Sequence, residues 1–187
     1  MIFYNQNDYA HIPYPSESNP KGNIKTSGCG VCSASMVVEN MTEHKLPIAE
    51  CTAFSMAVGG RDNYGTDMEK LGAAISEKYG LVMETTDDKE KVLAFLNANK
   101  GMVIANPGGD REGHVGLFTK YGHYIVVAEA RGRTVKVLDP NLKPTSFQKE
   151  GQTGFLFVDG VNIYCDIDVV VEDCLNRSPA FYMFSKA

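Results

Sequence analysis

The sequence predicts an α+β fold in which a helix-rich N-terminal part packs on a mainly antiparallel β-sheet. Helical apolar spacing, capping residues and terminal glycines dominate residues 1–101. Short β-rich runs separated by Gly, Pro, Asn and Asp dominate residues 102–187. Such grouping, without regular alternation, argues for helices laid against an antiparallel sheet. At 187 residues the chain is expected to form one domain, 1–187, around a well-covered core.

Each element has its own local signal. Gly28 and Gly30 bracket Cys29, Ser27 can cap, and Ala34, Val37, Val38 and Met41 share one helical face, so a first helix is expected just after Cys29. Pro47 precedes "IAECTAFSMAV", and Gly59-Gly60 ends it. Thr66 and Glu69 have the spacing of a capping box ahead of Met68, Leu71, Ile75 and Tyr79, with Gly80 as the stop. Asp87 and Glu90 repeat that spacing before Val92, Phe95 and Leu96, and Gly101 closes this fourth helix. The runs "MVIAN", "VGLFT", "HYIVVAEA", "TVKVLD", "GFLFV" and "FYMF" read as strands. "YPSESNPKGN" (14–23) and "NPGGDREGH" (106–114) have loop composition, the second that of a mobile loop.

Composition narrows the function classes. The apolar fraction of 43% and charged fraction of 22% are ordinary for a globular protein, and a net charge of -5 leaves no basic stripe, so nucleic acid is not an expected partner. The N-terminal stretch has no basic segment followed by an apolar one, and no apolar run approaches the roughly 18 residues of a membrane helix. A soluble chain, cytoplasmic by default, is the expectation. Five cysteines are an odd number for a chain with a core of this size, so free thiols are expected.

Cys29 is the first candidate for chemistry. A thiol at a helix N-terminus lies near the positive end of the macrodipole and near unpaired N–H groups, which favour the thiolate. His123 stands where a glycine turn runs into the apolar alternation of "YGHYIVV", a rigid place for a general base. Asp139 ends the run "RTVKVLD" before Pro140, one hairpin away, where it could accept the Nδ1 proton of His123 and fix its tautomer. Gln6, in "YNQNDYA", offers an amide donor for an oxyanion. His114, in "REGHVGLF", competes with His123 for the role of base, whereas His11 and His44 sit in polar contexts and read as surface residues.

Gln6 in "YNQNDYA", Cys29 in "SGCG", His123 in "GHYIVV" and Asp139 in "VLDPN" together resemble the papain-like cysteine peptidases. The chain is most similar to the bacteriocin-processing, double-glycine type peptidases and their stand-alone bacterial and phage relatives, over roughly Tyr4 to Asn141. The resemblance implies a papain-like fold, with Cys29 as nucleophile, His123 as base, Asp139 as orienting acid and Gln6 as oxyanion donor. It also implies hydrolysis of a peptide or protein, such as a leader peptide or a cell-wall peptide, without a cofactor. This chain departs from the pattern after "GCG", where relatives usually have proline and it has Val31 and then Cys32. The resemblance gives residues 155–187 no role beyond extending or covering the sheet.

Other readings stay open at this level. "CGVC" is also a C-x-x-C dithiol at a helix start, although "PKGNIKTSG" is a poor strand to lead into a thioredoxin-like βαβ unit. Cys32 could form a reversible disulfide with Cys29 that switches the enzyme off. One C-x-x-C pair falls short of the four ligands of a structural zinc site, so no metal is expected, and Cys51, Cys165 and Cys174 read as core or strand thiols. A catalytically silent binding module on the same fold is the remaining alternative.

Overall fold

The computed structural model describes all 187 residues. A short 3-10 turn, Gln6–Tyr9, precedes α1 (Ile24–Ser27), α2 (Cys29–Met41), α3 (Ile48–Ala57) and α4 (Met68–Tyr79). Then follow β1 (Leu81–Thr86), α5 (Lys89–Asn97), β2 (Gly101–Ala105), β3 (Ile125–Arg131) and β4 (Thr134–Leu138). The chain finishes with β5 (Phe157–Asp159), β6 (Asn162–Asp166), α6 (Ile167–Cys174) and β7 (Phe181–Lys186). The strands form one seven-stranded sheet in the order β1-β7-β2-β3-β4-β6-β5, and every neighbouring pair is antiparallel. The α+β class with an antiparallel sheet is therefore present. No helix is long and apolar enough to cross a membrane.

The central strands are apolar on both faces, and this explains their unbroken hydrophobic runs. Met102, Ile104, Val126, Ala128, Tyr182 and Phe184 point to one core with α2, α3 and α4. Their alternates Val103, Ala105, Ile125, Val127, Phe181 and Met183 point to a second core with α5 and α6. Helices thus cover both sides of the sheet, so the division into a helix-rich half and a strand-rich half describes sequence order and not layers.

Several expected elements differ. "VGLFT" is not a strand, because the N–H groups of Leu117 and Phe118 are taken by the Asp173 carboxylate and cannot join a ladder. "GFLFV" pairs only from Phe157 onward. Residues 81–86 leave the helical half to pair with β7, and residues 167–174 form α6 despite three consecutive valines. Ser27 lies inside α1 and caps nothing; Gly28 leads into α2 without a side-chain cap. Asp67, not Thr66, caps α4, and Asp88, not Asp87, caps α5. Asp87 instead accepts from Ser178 Oγ and the Ala180 N–H, both at 2.7 Å, and pins the entry to β7. Gly101 opens β2, while the turn after α5 passes through Asn99 in left-handed backbone.

One close approach fixes where α2 begins. A Cβ on Gly30 would come within 2.5 Å of Thr66 Cβ. Thr66 in turn is held by the fully buried Tyr14, whose hydroxyl lies 3.0 Å from Thr66 Oγ1 and 2.8 Å from Ser55 Oγ. Gly30→Ala should therefore cost about 1–3 kcal/mol through overpacking against a branched, anchored side chain. A lowered unfolding midpoint in chemical denaturation checks it.

Candidate active site

Cys29 is the first residue of α2 and remains partly exposed, whereas the rest of the first turn is buried. Gly28 permits this entry because any Cβ there would meet Ile24 backbone and side-chain atoms at 2.5 Å. No acceptor within the protein takes the Cys29 N–H, as befits the first turn of a helix. The next residues of α2 reach the sheet: Ser33 Oγ donates to the Tyr124 carbonyl at 3.5 Å.

His123 lies two residues before β3 and is buried, as is Asp139, the residue after β4. Because β3 and β4 pair with Val126 opposite Leu138, the two side chains meet at the same end of the hairpin. His123 Nε2 lies 2.7 Å from Asp139 Oδ1. The contact expected at Nδ1 is made by Nε2 instead. Nδ1 is thereby left as the ring nitrogen for the hydrogen bond to the Cys29 thiol. Asp139 Oδ1 also accepts the Asn141 N–H at 2.7 Å, so the same oxygen is held by two partners.

The charges follow from this arrangement. Burial alone would push the Cys29 thiol up, but the hydrogen bond and charge of His123, with the N–H groups of Tyr124 and Gly30, bring it below the ordinary thiol value. Burial would likewise push His123 down, yet the Asp139 charge and hydrogen bond, and then the Cys29 sulfur, hold it above the ordinary imidazole value. Both shifts favour the thiolate–imidazolium form of the pair.

Gln6 is buried on the 3-10 turn against α1. Its Nε2 donates to the Lys25 carbonyl at 2.7 Å, four residues before Cys29, which leaves the second amide hydrogen uncommitted. Its Oε1 has no partner in the protein. The turn itself is clamped to the loop that follows Asp139, since the Gln6 N–H donates to Pro140 O and Asn5 Nδ2 to Leu142 O, both at 2.7 Å.

His114 does not join this cluster. Its Nε2 lies 2.7 Å from Oδ1 of Asp173, a fully buried residue of α6. The same carboxylate accepts the N–H groups of Leu117 at 2.9 Å and Phe118 at 2.8 Å, while the Asp173 carbonyl accepts Gly108 N–H at 2.7 Å. The segment expected to be a mobile loop is therefore folded around one buried anion. His123 N–H donates to Pro107 O at 2.9 Å, so this loop also sets the backbone of the base. Sequence reading did not single out Asp173; an acid inside the apolar run "VVVEDC" was the signal available.

Cys32 is fully buried, and burial first, then the Cys29 charge, pushes its thiol well above the ordinary value. The residues leading into the C-x-x-C pair are helical and the sheet is antiparallel throughout, so the dithiol lacks a βαβ setting. His11 and His44 are exposed, and Cys51, Cys165 and Cys174 lie in the cores. Among known proteins, no protein-family model matches the chain and no match to a curated protein is found.

Two outcomes follow. In thiol alkylation against pH, Cys29 should react well below pH about 8.5 while Cys32 stays protected. Because Asp139 is the foremost group raising His123, Asp139→Asn should bring the loss of the imidazolium to lower pH, read by NMR titration of the ring. Separately, Asp173→Ala strands buried N–H groups at a cost of about 1–3 kcal/mol each. Faster amide exchange at Leu117 and Phe118 and a lower unfolding midpoint check that effect.

Proposed function

We propose that this chain is a papain-like cysteine peptidase. The observation that carries the reading is the line from a helix-start thiol, through a buried imidazole, to a buried carboxylate, with the thiol lowered and the imidazole raised. A helix N-terminus facing the end of an antiparallel sheet is the arrangement that the resemblance implies.

In this mechanism the Cys29 thiolate attacks a peptide carbonyl, and the carbonyl oxygen gains negative charge. The unpaired Cys29 N–H and the uncommitted amide hydrogen of Gln6 supply the donors for that oxyanion. His123, kept protonated by Asp139, gives its proton to the departing amine. Water, deprotonated by the now neutral imidazole, then attacks the thioester, and the thiol is released with the new carboxylate. No metal or cofactor enters these steps.

Cys29→Ala and His123→Ala should each reduce hydrolysis of a mixed peptide substrate to roughly a thousandth or less, with the fold retained by circular dichroism. Gln6→Ala should lower kcat about 100- to 1,000-fold. Retained turnover in Cys29→Ala sinks the assignment. Peptide binding by folded wild type without any cleavage would favour a binding module instead.

A further inference from the structure

Between residues 110–120 and 139–152 lies a cavity of about 430 Å³, and Asp139 is one of its walls. Two observations mark it as a constructed feature. Phe147 holds left-handed backbone, φ 63°, a costly conformation for a bulky residue, and its ring stands edge-on to Phe118 with centroids 5.6 Å apart. Gln152 Nε2 donates to the Gly116 carbonyl at 2.9 Å and ties the two walls together.

The cavity is mostly polar and carries Lys120, Lys143 and Lys149. None of the three is ion-paired. Lys120 Nζ sits 5.3 Å from the centre of the Tyr121 ring, which leaves Lys143 and Lys149 uncommitted. The carboxylates of the lining are Asp110, Asp139 and Glu150. Asp110 accepts the Gly116 N–H at 2.8 Å and Asp139 is bound to His123, so Glu150 alone is unengaged.

Reaction chemistry orients this cavity relative to a substrate. Asp139 stands on the Nε2 side of the imidazole and Cys29 on the other. The acyl part stays on sulfur, and the departing amine takes its proton from the His123 nitrogen that faces Cys29, so the leaving segment starts beside the imidazole, and the cavity lies on the Asp139 side of that ring.

We infer that this cavity is the subsite for the leaving segment, and that Lys143 and Lys149 there bind a carboxylate within about three residues of the scissile bond. The inference rests on the peptidase reading and gives it a substrate class: peptides acidic on the leaving side.

The test is a digest of a mixed peptide library, free or C-terminally amidated, with cut sites read by mass spectrometry. Wild type should cut roughly five- to tenfold more often where Asp or Glu follows the scissile bond within three residues. Enrichment in both libraries identifies a side-chain carboxylate as the ligand. Enrichment confined to free peptides cut near their C-terminus identifies the terminal carboxylate. The double variant Lys143→Glu/Lys149→Glu, at two exposed positions, should lose the preference within the same digest. That ratio does not depend on how much enzyme is folded. Cutting without acidic enrichment, or an unchanged profile in the double variant, overturns the subsite alone. A folded wild type that cuts nothing overturns the peptidase reading and the subsite with it.

Discussion

The 2.7 Å contact between His123 Nε2 and Asp139 is the constraint on which the candidate site depends. It decides which ring nitrogen meets the thiol, and it supplies the charge that holds a buried imidazole above its ordinary value. Moving a cation out of water is costly unless an anion accompanies it. The β3–β4 register supplies that anion, because it brings the residues flanking both strands to one end of the hairpin. Removing His123 would leave the Asp139 carboxylate buried without its partner, and removing Asp139 would take away the foremost group that raises the imidazole.

A second buried anion organises what surrounds the first pair. Asp173 gathers two backbone N–H groups and His114 into one knot, and the loop so formed carries His123 at its far end. The two histidines of the second half therefore divide their work. One sits between a carboxylate and a thiol; the other sits on a carboxylate alone and shapes a wall. The distinction lies in their partners and not in their local sequence, since both follow a glycine-containing turn.

Legibility in the sequence tracks the range of the responsible interaction. Cys29 between glycines, His123 at the head of an apolar alternation and Asp139 before proline are local patterns, and all three side chains meet in the structure. The α+β class was legible from the same kind of short-range periodicity. Asp173 was not, because its partners are donated by a loop some sixty residues earlier, from His114 to Phe118. The strand at 81–86 is hidden in the sequence because its burial is irregular, and α6 because a valine run favours extended structure until tertiary packing overrides it. The caps of α4 and α5, Asp67 and Asp88, each stand beside a residue that offers an equally good acceptor, so local sequence does not choose between them.

The strand β7 lies between β1 and β2, so the last strand in sequence order is an interior member of the sheet. During synthesis the helices, the 3-10 turn and even the β3–β4 hairpin emerge before the strand that joins β1 to the rest. Until then β1 and β2 each keep an open edge, and Phe184 is missing from one core and Phe181 from the other. Long-range pairing of this kind delays folding until a late stage. A nascent chain is thus kept from assembling the completed sheet until β7 itself has been made.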